Sequence, residues 1–586
     1  MRNFTVRNES ERQPRKKHGC LWTVVICVLL YIGMCAWMGY LMGGMFSTPT
    51  TKLTAKSVYR LQLKGTLVEQ VQESNPLAGL LSASPYYNQT ETVGLDDLLS
   101  NIRLAKTDDR IEGIYLDGGS LSMAPASAKA IRDALLDFKT SGKWIIAYAS
   151  SYGQTNYYVA SVADKIFLNP TASIDWNGLT AQKAYYKRLF DKLGIEMQIL
   201  KVGTFKSAVE PYFRTSMSEA DRLQTEQYIN GIWSEMKTAV AESRHIAVEQ
   251  LDQYADEYMG LQPQEKYLDY GFADSLVYAE GMDNILRTYM GTKDYTLLST
   301  GQLASVERTR SKAYAKVAVV YAEGEITDET GDGIVGKDMV KMFKKIAKDE
   351  DICAVVLRVN SPGGSADASE QIWHAVQTLK QDGRPVVVSM GDYAASGGYY
   401  ISCGADYIFA EPTTLTGSIG IFGTVPNLSQ VLDKVGLDYD GVSTNRHSDL
   451  QVNMVYKGMN TEEYAMMQAM VERGYDLFTR RCAEGRHTTQ DAIKQIGEGR
   501  VWLGKDAMGI GLVDSLGNID DAIRKAVELA DIPDYQVVYY PETTDPLEDL
   551  LSMFDNTTDE EKLLLRVREF ASKPRIMALM PEVEIH

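Results

Sequence analysis

A chain of 586 residues is too long for a single hydrophobic core and has room for three or four domain-sized units. Its 78 acidic against 60 basic side chains give a net charge of −18 spread along the chain, which excludes a nucleic-acid-binding surface. The six cysteines and six histidines show no zinc spacing, no paired disulfide framework and no His-Glu-x-x-His stretch, so hydrolysis through a metal is set aside.

The first predicted element is a membrane anchor. Residues 19–51 carry no charge, and residues 21–45 are dominated by Leu, Val, Ile, Met, Trp and Tyr. A bilayer core needs about 20 such residues. The stretch is long for a cleaved signal peptide and has no Ala-x-Ala-like exit near Ser47. Before it stand Arg2, Arg7, Arg12, Arg15, Lys16 and Lys17 against Glu9 and Glu11. The positive-inside tendency therefore predicts a cytoplasmic tail over residues 1–18, an anchor spanning the lipid bilayer over residues 19–46, and all later residues outside the cytoplasm.

Beyond the anchor the chain repeats itself. The run Arg110 to Leu116 recurs as Asp351 to Leu357, Trp144 to Ala147 as Pro385 to Val388, and Tyr157-Tyr158 as Tyr399-Tyr400. Further on, Asp191-Lys192-Leu193-Gly194 answers Asp433-Lys434-Val435-Gly436, Arg244-His245 answers Arg486-His487, and Asp274-Ser275-Leu276 answers Asp514-Ser515-Leu516. The offset stays between 240 (274 to 514) and 242 (244 to 486) residues, a register that marks a tandem duplication. The copies are placed at residues 57–280 and 316–540, joined by a polar linker at 281–315 and followed by a tail at 541–586.

Within each copy β-rich runs alternate with helical patterns. In the second, residues 316–323 and 354–359 read as strands, 337–348 and 369–380 as helices, and Val386-Val387-Val388 as a further strand. This alternation predicts an α/β domain with parallel strands and crossover helices. A long helix closes each copy, over residues 218–244 and 460–486, opened by the N-cap residues Ser218 and Asn460.

The chemistry gathers after the Val386 strand. Ser396 stands between two alanines and two glycines in Ala394-Ala395-Ser396-Gly397-Gly398, ahead of the apolar Tyr399-Tyr400-Ile401. A strand, a tight turn and a helix at such a sequence leave the hydroxyl unshielded, with backbone N–H groups beside it, as a serine nucleophile requires. In isolation the same residues read as a turn packing a helix on a sheet.

The copies differ where chemistry would sit. Opposite Ser396 the first copy has Gln154 or Thr155, without the glycines. In the other direction, Lys206 in Gly203-Thr204-Phe205-Lys206-Ser207-Ala208 has Ser448 as its counterpart, in a segment without lysine. No Ser-His-Asp pattern is evident, so a lysine is the next candidate base. It must be buried to be neutral, and Phe205, Ala208 and Val209 suit that demand. Asn360-Ser361-Pro362-Gly363-Gly364-Ser365 can aim N–H groups of Gly363 or Gly364, with that of Gly397, at an oxyanion. Ser418, in Leu415-Thr416-Gly417-Ser418-Ile419-Gly420, can orient a neutral lysine.

Together these motifs resemble the signal peptide peptidase A family, also called protease IV, in its long tandem form. The resemblance covers nearly the whole chain after the anchor. It implies a tandem crotonase-like or Clp-protease-like α/β fold and a Ser-Lys dyad, with Ser396 as nucleophile and Lys206 as general base. It further implies a ring-shaped homo-oligomer such as a tetramer, no metal or other cofactor, and remnant signal peptides and other apolar peptides as substrates. A lysine base implies an alkaline optimum. Two other classes fit parts of the pattern: a catalytically silent membrane scaffold, and an acyl-CoA hydratase or isomerase. The second needs a carboxylate pair and a CoA pocket, for which the residues make no case.

Overall fold

The computed structural model describes residues 52–71, 92–306, 313–329, 331, 333–541, 576–580 and 584–585. The expected basic tail and anchor, residues 1–46, lie outside the described residues. Among those described, no helix is long and apolar enough to cross a membrane. The described residues from Leu53 onward form one compact unit.

Each copy is built on a largely parallel sheet. In the first, Thr92–Gly94, Ser57–Val68, Ile111–Ser122, Trp144–Ala149, Lys165–Leu168 and Ser275–Leu276 lie side by side in that order, all parallel. In the second, Gln536–Tyr540, Lys316–Glu323, Ile352–Ser361, Val386–Ala395 and Leu415–Gly417 follow one another in parallel, and Val501–Leu503 closes the edge antiparallel.

The second-copy strands are apolar on both faces because both faces are covered. Ala318, Val320, Val355, Leu357, Val386 and Val388 join one apolar cluster with Phe343, Ile346, Ile372 and Val376, which come from the helices Gly336–Lys348 and Ala366–Gln381. Val317, Val319, Ala354, Val356 and Val387 point the other way, toward Ala522 and Ala526 of the helix Ile519–Ala530. Alternation along a strand makes this division, and a parallel sheet needs it.

The long helices run Glu219–Arg244 and Thr461–Gly485, each one residue past its capping side chain. Ser218 Oγ accepts from the Asp221 N–H at 3.1 Å, and Asn460 and Glu463 cap each other reciprocally.

The stretch expected to be a linker is folded for much of its length. The helix Met282–Met290 buries Met282, Leu286 and Met290 at four-residue spacing, and Thr296–Leu298 adds a parallel strand beside Ser57–Tyr59. Three strand residues among polar neighbours are too few to show a periodicity, so the pattern read as linker.

A third sheet joins the copies. It runs Ile334–Val335, Ile326–Thr327, Gly363–Ser365, Ile576–Leu579, Phe422–Asn427 and Glu196–Lys201. The last of these strands belongs to the first copy and pairs antiparallel along all of Phe422–Asn427. That pairing carries the loop after Lys201 into the second copy.

Candidate active site

The strand Val386–Ala395 extends well past its β-branched run and ends one residue before Ser396. Its last residues are held by Leu415–Gly417 on one side and by Ser361 on the other, so Met390 to Ala395 stay extended although only tertiary pairing favours it. Ser396 then turns the chain into the helix Gly397–Ser402 with φ of 56° and ψ of −113°, a conformation that non-glycine residues rarely adopt. Its N–H donates to the Gly417 carbonyl at 2.8 Å and its carbonyl accepts from the Tyr400 N–H at 2.8 Å, which fixes the elbow from both sides. Gly398 must lack a side chain, because a Cβ there would stand 2.6 Å from the Ser361 carbonyl oxygen.

Lys206 arrives from the other copy. After the Glu196–Lys201 strand, the Val202 N–H donates to the Ile421 carbonyl at 3.1 Å and the Phe205 N–H to the Glu498 carbonyl at 2.9 Å. Gln224, on the first copy's long helix, braces the loop. Its Nε2 donates to the Phe205 carbonyl at 3.2 Å and to Ser207 Oγ at 3.0 Å, while its Oε1 accepts from the Val501 N–H at 3.1 Å.

Lys206, Ser396 and Ser418 are all fully buried. Lys206 Nζ lies 2.7 Å from Ser396 Oγ and 3.1 Å from both the backbone oxygen and Oγ of Ser418. A neutral amine has two N–H donors and one lone pair. The two Ser418 oxygens can take the donors, leaving the lone pair for the Ser396 hydroxyl proton. Burial holds the Lys206 pKa well below the ordinary lysine range of 10.5, the direction a neutral amine requires.

Of the residues expected to bury this lysine, Val209 is fully buried and Phe205 and Ala208 are half-buried. The closer shield is one the sequence did not announce. The Phe422 ring centroid is 5.9 Å from Nζ, and Gly499 lies so near that a Cβ there would stand 2.6 Å from the Lys206 Cβ. Gly420 falls in a motif already singled out, and a Cβ on it would reach the Lys206 Cδ at 3.2 Å.

The glycine loop forms the short strand Gly363–Ser365, with Gly363 at φ 106° and Gly364 at φ 155°. The Gly363 N–H is turned to Ser361 Oγ at 3.2 Å, so of the three expected donors it is the one engaged elsewhere. Gly364 faces the neighbouring strand Ile576–Leu579, and Gly397 opens its helix, where N–H groups lack intrahelical partners.

A buried ion pair ties both loops to the first copy. Arg358 Nε and Nη2 donate to the two carboxylate oxygens of Glu69 at 2.9 and 3.0 Å, and Asn360 Nδ2 donates to Glu69 Oε1 at 3.1 Å. Asn360 Oδ1 accepts from the Tyr393 N–H at 3.1 Å, and Asp392 accepts from the Ser127 N–H and Oγ at 2.8 and 2.5 Å. Glu69 and Ser127 thus hold, from the first copy, the strand ends that lead to Gly363 and Ser396.

The reciprocal site is not assembled. Gln154 Oε1 accepts from the Asn177 and Gly178 N–H groups at 2.9 and 3.1 Å, which fills the first copy's turn, and Thr155 follows it in the helix Gln154–Ala160. Ser448, the counterpart of Lys206, is exposed and bonded within its own loop, its Oγ donating to the Asn445 carbonyl at 2.8 Å. Among the described residues no group of three or more His, Cys, Asp or Glu side chains is placed to hold a metal ion.

A serine on a strained strand-to-helix elbow, with an amine in hydrogen-bond reach and a glycine loop alongside, is the equipment of a serine peptidase. Known proteins agree. The sequence model of peptidase family S49 matches residues 137–286 and 378–533, and that of Clp protease matches residues 305–414. "Protease 4" of Salmonella typhi is 35% identical over 554 residues, covering 92% of this chain and 87% of its own. "Serine protease SPPA, chloroplastic" of Arabidopsis thaliana is 29% identical over 87% of this chain and 75% of its own. "Putative signal peptide peptidase SppA" of Enterococcus faecium is 31% identical over 39% of this chain and 74% of its own. The chain is a serine peptidase of family S49, with the Clp-protease-like domain duplicated.

Proposed function

We propose that the protein is a membrane-anchored Ser-Lys endopeptidase that degrades cleaved signal peptides at the outer face of the cytoplasmic membrane. The observation that carries this reading is the 2.7 Å approach of Lys206 Nζ to Ser396 Oγ between the two copies. Neutral Lys206 takes the Ser396 proton as the hydroxyl oxygen attacks a peptide carbonyl. N–H groups of Gly364 and Gly397 receive the oxyanion, protonated Lys206 delivers its proton to the leaving amine, and the same lysine then activates the water that releases the acyl group. Ser418 keeps the amine aimed throughout. The uncharged stretch at residues 19–51 would hold this site beside the membrane, where apolar peptides remain after secretion, and a relative is named for signal peptide hydrolysis.

The test is cleavage of a leucine-rich apolar peptide by the detergent-solubilised full chain. Ser396→Ala is expected to remove about 10³-fold or more of kcat/KM; retained cleavage would assign the nucleophile elsewhere.

Two further expectations belong to the same assay. The base works only when neutral, so kcat/KM should rise with pH through the lowered Lys206 value and level off below the ordinary lysine range. A kcat/KM that falls as pH rises from neutral toward 10.5 would remove a neutral lysine base from the mechanism. Gly363→Ala should lower kcat/KM about 10²-fold, the usual effect of losing one oxyanion donor. The added Cβ would stand 2.7 Å from the Gly397 nitrogen at a positive φ of 106°. An unchanged rate would mean that crowding the Gly397 N–H from Gly363 does not disturb the oxyanion contacts.

A further inference from the structure

Residues 499–502 touch each part of the candidate site. Gly499 packs so closely on the Lys206 backbone that a Cβ there would stand 2.7 Å from its Cα. The Arg500 carbonyl accepts from the Ser418 N–H at 2.7 Å, fixing the residue whose two oxygens hold the Lys206 amine. Val501 stands opposite Gly417, whose carbonyl accepts from the Ser396 N–H, and a Cβ on Gly417 would stand 2.9 Å from Trp502 Cδ1. Where this segment sits therefore governs how amine and hydroxyl meet.

The segment is fastened by a stack across the junction of the copies. The Arg500 guanidinium lies against two rings, its Cζ 4.9 Å from the Phe205 centroid and 4.1 Å from the Trp502 centroid. Phe205 precedes Lys206 and belongs to the first copy. Trp502 belongs to the second, where its indole N–H donates to the Ile496 carbonyl at 3.0 Å. Arg500 Nη2 also donates to Gln227 Oε1, on the first copy's long helix, at 2.5 Å. A guanidinium is planar and stacks on aromatic faces in a way an ammonium does not reproduce. The reciprocal, unassembled site has none of these side chains. Aligned on the helices Gln264–Asp269 and Gly504–Gly509, Arg500 and Trp502 answer to Gly260 and Gln262. In the register that sets Lys206 against Ser448, Phe205 answers to His447 and Gln227 to Ala469. Packing that merely built the domain would recur in both copies; this stack stands only where the amine meets the hydroxyl.

We propose that Arg500 is a positioning residue of the reaction: stacked on Phe205 and Trp502, it holds the Lys206 loop of one copy against the Ser396 and Ser418 turns of the other. It acts through Phe205, Gly499 and Ser418 rather than on the reacting atoms. The inference rests on the peptidase reading of the site. Without the stack the loop and the segment part, the amine drifts from the hydroxyl, and water reaches Lys206. Burial is what lowers the Lys206 pKa, so hydration returns it toward its ordinary value. The charged residues on the segment against Lys206 are Arg500 and the exposed Glu498, so a variant that keeps a cation at 500 separates loss of packing from loss of charge.

The experiment measures kcat and KM of the detergent-solubilised full chain on the leucine-rich apolar peptide as a function of pH. Arg500→Lys keeps the charge and loses the planar stack. It should lower kcat at neutral pH by up to about 10²-fold, the effect of misplacing reacting groups by about 1 Å, and leave KM within about twofold. The midpoint of the rise of kcat with pH should move upward as well, which a loss of folded protein alone would not do. Trp502→Leu removes one ring of the stack and should displace the profile in the same direction, so the result does not depend on how one variant folds. Trp502→Phe, which keeps a ring face, should restore most of what Trp502→Leu loses. The chain carrying both Arg500→Lys and Trp502→Leu should lose no more than the worse of the two, because the stack acts as a unit. A wild-type kcat in Arg500→Lys, an unmoved midpoint in both single variants, or losses that multiply in the double variant would overturn the inference. A wild-type chain inert toward the peptide would instead bring down the peptidase reading, and the inference with it.

Discussion

Lys206→Met should reduce kcat/KM by about 10³-fold while leaving the fold intact, because general-base catalysis contributes about 10² to 10⁴ and the methionine keeps the length and apolar stem of the side chain. A loss of less than about tenfold would mean that Ser396 is activated by another group. Stability supplies a second readout. Burial holds the Lys206 pKa in the fold well below 10.5, whereas in the unfolded chain it is protonated up to that ordinary value. Between the lowered and the ordinary value the unfolded chain binds the additional proton, so this residue's contribution makes the wild type more stable as pH rises. Methionine has no proton to release. The difference in Tm between wild type and Lys206→Met should therefore shift in favour of wild type from neutral to alkaline pH, and a constant difference would contradict a neutral buried lysine.

Glu69→Ala should destabilise the fold strongly. It strips the carboxylate from Arg358, whose side chain is only 3% exposed, and leaves a guanidinium buried without its counter-charge. Burial is the largest influence and works against that charge, but Glu69, by charge and hydrogen bonding, together with Asp392 and Glu411 holds the Arg358 pKa above the ordinary arginine value. Breaking such a pair typically costs about 3 to 5 kcal/mol, whereas replacing both partners with apolar residues of similar volume is often neutral. Urea unfolding should show that loss for Glu69→Ala and recovery of most of it in Glu69→Leu with Arg358→Met. If the single and double variants unfold alike, the pair is not what secures the junction. Activity should fall in the single variant as well, since Asn360 and Arg358 lead directly into the glycine loop.

Much of this arrangement is readable from residue types alone. The duplication shows because corresponding segments keep an almost constant spacing, and Ser396 and Lys206 stand out because each lacks a counterpart in the other copy. Ser218 and Asn460 mark helix starts because a cap is a local interaction. What escapes the sequence is whatever depends on distant partners. Glu69 lies in no motif, and its arginine is 289 positions away. The strand character of Gly363–Ser365 is hidden because glycine has little preference for extended structure and acquires it here from neighbours on both sides. The positive φ of Ser396 is imposed by the Gly417 and Tyr400 hydrogen bonds. The apolar residues at 576–580 are too few to announce a strand, and they have one only because two edges await them.

Under the proposed Ser-Lys mechanism, the division of Ser396 and Lys206 between the copies also makes proteolysis conditional on the folding of both. A chain whose first half alone has folded holds an amine with no hydroxyl to activate, and one whose second half alone has folded holds an inert alcohol. The strand Glu196–Lys201 can deliver its loop only to a finished Phe422–Asn427. On the proposed mechanism, hydrolysis therefore requires both copies to be folded and joined.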